Sequence, residues 1–364
     1  MPHRYRPDID RAKGLAILLV VFGHLMASGY PRGNAWYDTA KDIVYTFHMP
    51  FFMYLSGYVF SLAGKQTINY GAYARFLRER AVRLLVPFAL FGLLIVTGKY
   101  LSKFFLYVDD PPKNLLVGLG DLVVNTDNSP ALSIWYVYVL FLYSAAMPLL
   151  WRLGLRWSSA VLLGAILFVI PAGDFLYLDR AARFFLFFAL GGLVAAREDV
   201  EPWFRRGLLF WLLLFNATLF TEWTAMPERA RMLLCGLAAI PALHGLVQIK
   251  ALSRDRALVV LGQSAFSIYL LNTIVIGLAK AGYLKLAPFE GASATFALAL
   301  FFVAGVLVPV LIHRLSARVP VLAKIISCLR AVPLSAQKSA FIFQIRLANA
   351  MPTSPCAAGD SSGT

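Results

Sequence analysis

The chain has 364 residues, 59% of them apolar or aromatic and only 15% charged, with a mean hydropathy of +0.69. A soluble domain is about 45–50% apolar and about 25% charged, so a soluble globule, a disordered chain and a fibre are excluded as first readings. The 34 Lys and Arg against 19 Asp and Glu give a net charge of +15, which in a soluble protein would suggest nucleic acid but in a membrane chain is first a topology signal.

Crossing about 30 Å of hydrocarbon takes about 20 apolar residues. Ten such runs occur, at 14–31, 43–63, 84–104, 131–151, 158–172, 182–196, 207–222, 232–249, 257–279 and 293–313. They are continuous and rich in Leu, Phe and Ala, with no alternation of the β-barrel kind. This predicts an all-α, polytopic membrane helix bundle of about ten transmembrane helices. The fifth and sixth runs are short, and Pro171–Gly173 breaks the chain between them.

With the N-terminus placed in the cytoplasm, most of the 34 basic residues fall on the inside segments while the acidic residues lean outward. The positive-inside rule then puts both termini in the cytoplasm, and nucleic acid is not needed as a partner. The first run, with a basic flank and small residues at Ala27–Gly29, imitates a signal peptide, but its internal polar residues argue that it is kept. Residues 1–316 read as one membrane-embedded domain. Residues 317–364 read as a cytoplasmic tail, disordered or interfacial, with 338–351 the stretch suited to a membrane surface. Cys235, Cys328 and Cys356 are widely spaced and form no metal-ligand pattern, so neither a disulfide nor a metal is expected.

Ionisable groups inside spans are costly and usually mark function. RPDIDRAKGLAILLVVFGH carries Asp10, Lys13 and His24 in the first run. Lys13 and His24 lie eleven residues apart, which on a helix is about three full turns and about 16 Å of rise, on one face. A lysine there can also simply snorkel, and a histidine can serve a structural bond to a neighbouring helix. The second run, read from the other side, places His48 about as deep as His24, with Pro50 freeing backbone carbonyls nearby; for His48 a structural role and a catalytic one stand level. Arg80 and Arg83 share a helical face in FLRERAVR, a stretch closed by Pro87. They can clamp phosphates or anchor the chain to lipid head groups.

Acyl transfer from a thioester to a hydroxyl needs a base for the hydroxyl proton, and histidine suits that task near neutral pH. Acyl-coenzyme A carries phosphates at one end and the thioester on a long arm. A basic ring at the cytoplasmic mouth, with a histidine about 16 Å deeper, fits a donor on one side and an acceptor on the other.

RPDIDRAKGLAILLVVFGH, FHMPFFMYLSGY, the Arg80/Arg83 pair before Pro87, IWYVYVLFLYSAAMPLL at 134–150, FFLFFALGG at 184–192 and LGQSAFSIYLLN at 261–272 follow one another in a familiar order. Over about residues 7–316 the chain resembles the membrane-bound acyltransferase-3 family, and in particular its fucose 4-O-acetylase-like branch. The resemblance implies a ten-helix core that moves acetyl from acetyl-coenzyme A to a hydroxyl of a surface or exported glycan, or of a lipid-linked sugar, in the bacterial inner membrane. It implies His24 as general base, His48 in support, and Lys13, Arg80 and Arg83 on coenzyme A, with Asp10 orienting Lys13 or closing the cavity. Trp135 and Tyr136 are candidates for stacking on sugar, although aromatic residues there also suit an interfacial belt. Two departures stand out. Lys13 replaces the more usual arginine, a point charge for a planar fork, and Asn272 stands where the family commonly has histidine. Either that position is dispensable or the acceptor site is modified.

A glycolipid or polysaccharide transporter would use a similar polar cavity, but no convincing inverted repeat is present to favour it. A non-enzymatic scaffold leaves the alignment of Lys13 with His24 without a reason.

Overall fold

Helices dominate because the apolar runs have no other way to satisfy their backbone groups away from water. The computed structural model describes residues 6–26, 35–220 and 226–316. The helices are α1 (Pro7–Gly23), α2 (Ala35–Leu62), α3 (Tyr70–Ser102), α4 (Leu115–Gly120), α5 (Trp135–Arg152), α6 (Trp157–Val169), α7 (Leu178–Ala195), α8 (Val200–Arg206), α9 (Leu208–Phe220), α10 (Glu228–Leu246), α11 (Lys250–Ser253), α12 (Arg256–Gln263), α13 (Ala265–Leu286) and α14 (Gly291–Ser316). All belong to one compact unit, Pro7–Arg330. By length and composition, four segments suffice to cross a membrane: Tyr70–Ser102, Leu132–Arg152, Ala265–Leu286 and Gly291–Leu315. The tail expected at 317–364 lies outside the described residues.

Among the described residues each of the ten apolar runs lies mainly on helix, but four local expectations change. The first helix ends at Gly23, so His24 sits in a turn just past it, tightened by a His24 N–H to Val21 C=O bond of 3.1 Å. The second helix starts at Ala35, which places His48 near its middle rather than near its start. Pro87 lies inside α3 and does not close it; membrane helices tolerate proline where neighbours re-satisfy the freed groups. The run 257–279 divides at Ser264 into α12 and α13, with Asp255 capping the start of α12 through bonds from Ala257 N–H (2.7 Å) and Leu258 N–H (3.2 Å).

Close backbone approach holds the elements around α1 and α2. Helix α2 packs most extensively on α7, and α1 on α12. A methyl group at Gly57 would collide with the Phe188 carbonyl oxygen, and one at Gly191 with that of Tyr54. The two helices therefore interlock reciprocally through glycines, in the manner of small-residue contacts between membrane helices. Gly14 against Leu258 and Gly262 against Asp10 do the same for α1 and α12. Large side chains such as Phe51, Tyr54, Phe187 and Phe188 fill the centre. Meanwhile Leu90, Leu93 and Leu94 of α3 and Leu209, Phe210 and Leu213 of α9 are left exposed, as faces that lipid would cover.

Candidate functional site

A helix leaves its last four carbonyls without intrahelical donors; at the end of α1 side chains of α2 meet two of them, and a third side chain meets a carbonyl in the turn just beyond. Tyr37 donates to Phe22 C=O (2.8 Å), Lys41 to Met26 C=O (2.8 Å) and Tyr45 to Gly23 C=O (2.7 Å). The Met26 N–H in turn donates to the Tyr37 hydroxyl (3.3 Å). Residues 37, 41 and 45 recur at the spacing of one helical face, and Lys41 is only 6% exposed. A buried cation beside a helix C-terminus also complements the negative end of the helix dipole. His24 hangs from this anchored turn.

The half-buried His24 ring meets α13, with Nδ1 2.8 Å from Asn272 Oδ1. Asn272 is 0% exposed, and its Nδ2 donates to the carbonyls of Ile268 and Tyr269, both at 2.8 Å. On α2, His48 is buried with Nδ1 2.8 Å from the Val44 carbonyl. Its ring stacks on Tyr45 at 5.0 Å between centroids. His24 and His48 lie within electrostatic reach of one another, and Lys41 within reach of His24.

Trp135 and Tyr136 occupy the interior beside this site. Tyr136 shares a hydrogen bond of 2.6 Å with Ser56, and its ring packs against Phe52 and Tyr269. The Tyr269 hydroxyl accepts from the Tyr136 N–H (3.2 Å), which ties the start of α5 to α13 one turn before Asn272. Trp135 is covered by Phe184 at 4.9 Å and by the Arg180 guanidinium at 5.3 Å. Both aromatic rings are more than nine-tenths buried, so stacking on a sugar would require their present partners to move.

Toward the N-terminal end of α1, Lys13 pairs with Asp10 at 3.3 Å. Arg80 and Arg83 are on α3, which packs chiefly on α5, so the paired arginines belong to a different wall from Lys13. There they gather a residue that the sequence reading did not single out. Lys65 Nζ lies 6.0 Å and Arg80 Cζ 5.3 Å from the Phe76 ring centroid. Burial, and next the positive charge of Arg80, hold the Lys65 ammonium below its ordinary pKa, with the Glu79 carboxylate opposing the shift in part, as expected where cations are gathered and partly desolvated.

Asp8, Glu201 and the buried His244 bring three potential metal ligands within 4.8 Å of one another. Tyr58 donates to Glu201, and the Tyr54 hydroxyl lies 2.7 Å from His244 Nδ1, so these groups already belong to a hydrogen-bond network. The stripe Tyr37, Lys41, Tyr45 and His48 was legible as a 3.6-residue polar period inside AWYDTAKDIVYTFH. Nothing in the sequence paired it with the end of α1.

A two-histidine site at the junction of α1, α2 and α13, inside an all-helical fold with membrane-length helices, defines the class, and comparison with known proteins agrees. The family described as "Acyltransferase domain", acyltransferase-3, matches residues 6–314; the chain belongs to that family. It is similar to two proteins described as "Nodulation protein NolL". The one from Sinorhizobium fredii (strain NBRC 101917 / NGR234) is 41% identical over 98 residues, which is 26% of this chain and 25% of that protein. The one from Mesorhizobium japonicum (strain LMG 29417 / CECT 9101 / MAFF 303099) is 32% identical over 137 residues, 37% of this chain and 33% of that protein. The matched stretches thus span a quarter to a third of these relatives. No solved structure matches the chain.

Proposed function

We propose that this protein is an integral membrane O-acyltransferase of the fucose-acetylase-like kind, which moves acetyl from cytoplasmic acetyl-coenzyme A to a hydroxyl of a cell-surface, exported or lipid-linked glycan. The proposal places it in the bacterial inner membrane, crossing about ten times with both termini inside. The carrying observation is a half-buried histidine, His24, held between a capped helix end and a buried amide.

In this reading Lys65, Arg80 and Arg83 receive the coenzyme A phosphates, with the Asp10-oriented Lys13 on the path inward. The His24 imidazole takes the acceptor's hydroxyl proton as its oxygen attacks the thioester carbonyl. A C–O bond forms, the C–S bond breaks, and the leaving thiolate recovers a proton from the imidazolium. His48, stacked under Tyr45, supports the local geometry and charge. General-base catalysis is worth about 10²- to 10⁴-fold, and that is the loss expected for His24→Ala.

The test uses membranes containing the protein, given acetyl-labelled coenzyme A beside a His24→Ala sample of equal expression. Label in extracted glycans or glycolipids of the wild type, gone in the variant, is the expected result. Equal labelling removes His24 from the mechanism. No label in either sample, with the cognate glycan present, turns the reading toward a transporter.

A further inference from the structure

We infer that Asn272 is a positioning residue for His24, an amide that locks the neutral imidazole in one tautomer and leaves Nε2 as the proton-accepting nitrogen. The inference deepens the acyl-transfer reading and rests on it for its catalytic half.

Donors and acceptors fix the arrangement. A side-chain amide has one accepting oxygen and one donating nitrogen. The carbonyls of Ile268 and Tyr269 only accept, so the atom 2.8 Å from each of them is the amide nitrogen. That fixes the amide's orientation and leaves Oδ1, an acceptor, facing His24. Nδ1 of His24 must therefore carry hydrogen, and in the neutral ring Nε2 then holds the lone pair. Among the described residues no side chain or carbonyl occupies Nε2 by a hydrogen bond. Asn272 has no exposure, so water does not reach its amide.

The chemistry of asparagine matters here. A carboxylate at this position would put oxygen against the two helix carbonyls where Nδ2 now donates, a repulsive arrangement in a buried site. A neutral amide orients the ring without adding charge. The charged and titratable groups around His24 come from α2: Lys41 and His48, with Tyr37 and Tyr45 bonded to the backbone on either side of it. From α13 the hydrogen-bonding neighbour is the neutral amide of Asn272. Asn272, a departure from the family's usual histidine, is thus accommodated as an orienting group that cannot itself take the proton.

The test is ¹⁵N NMR of the purified full-length protein labelled at histidine, with the His24 resonances assigned by subtraction of a His24→Gln sample. At a pH where the ring is neutral, the expected result is one protonated Nδ1 and one bare Nε2. In Asn272→Leu the expected result is a mixed or reversed tautomer. Transfer should then fall about ten- to a hundredfold in kcat, with KM for acetyl-coenzyme A little changed, and Asn272→Gln should recover part of the rate. A wild-type ring protonated on Nε2 overturns the inference and needs no variant to fold. An unchanged tautomer in Asn272→Leu also overturns it. A fixed tautomer in a protein that transfers no acetyl group overturns the catalytic half together with the acyl-transfer reading, and is told apart because the NMR result stands without turnover.

Discussion

Gly23→Ala is the sharpest probe of how the end of α1 presents His24. The added methyl would stand 2.5 Å from Tyr45 Cε1, 3.3 Å from Cδ1 and 3.5 Å from Cζ. Carbon atoms pack at about 3.5–4.0 Å, so the ring must retreat by about an ångström. Its hydroxyl now bonds the Gly23 carbonyl at 2.7 Å, and that shift takes the bond past the distance at which it counts as one. The stack on His48 opens with it. Tyr45 is 39% exposed, so the ring has room to yield and the cost is lost contacts rather than compression. The hydrogen bond is worth about 0.5–1.5 kcal/mol, and the aromatic contact a similar amount. Replacing glycine by alanine in a helix returns about 1 kcal/mol, leaving a net loss of about 0–2 kcal/mol. Stability should therefore change little, while the transfer rate falls about tenfold or more because the turn that carries His24 is displaced. The assay is thermal unfolding in detergent beside acetyl transfer per unit of folded protein. Tyr45→Phe, which keeps the ring and removes only the hydroxyl, should lose less rate. A Gly23→Ala protein that transfers at the wild-type rate, or loses rate only in proportion to folded protein lost, refutes the reasoning.

Three further outcomes are expected. Gly57→Leu or Gly191→Leu should abolish folded protein, because the colliding atoms are backbone carbonyls of Phe188 and Tyr54 that cannot rotate away; monodisperse protein from either variant would contradict the α2–α7 interlock. Lys41→Met should cost about 1.5–3 kcal/mol, the worth of a charge-assisted bond, lost here from the Met26 carbonyl. It should lower kcat more than KM for the donor, as a unfolding series with parallel kinetics would reveal. Lys65 supplies a pH signature. Its pKa is held down by burial and then by Arg80, so donor affinity should weaken as pH rises through that depressed value and the ammonium is lost. Bound phosphate stabilises the charged form and moves the limb upward. Donor KM measured across alkaline pH should lose this limb in Lys65→Met, and an identical profile would remove Lys65 from the donor site.

Much of the architecture was legible from the chain alone. Hydrophobic run length is a local property, so the ten apolar runs and their helical character needed no tertiary information. The polar residues inside the first run were conspicuous for the same reason, since Asp10, Lys13 and His24 stand against an apolar background, and the short-range Lys13–Asp10 pair follows from their spacing of three. Run length says nothing about where a helix ends within it. That depended on contacts made across the bundle. Tyr37 and Tyr45 supply donors to the Phe22 and Gly23 carbonyls, and Lys41 to that of Met26 just beyond, at the point where α1 gives way to the turn that carries His24. The run 257–279 likewise divides at Ser264, and its first half, α12, lies close against α1 through Gly14 and Gly262. Asn272 shows the difference most plainly. By sequence it is a departure within LGQSAFSIYLLN, 248 positions from His24, with nothing to show that the two touch. Only the packing of α13 beside α1 brings its amide to the imidazole, because a hydrogen bond depends on distance and direction in space, and separation along the chain carries neither.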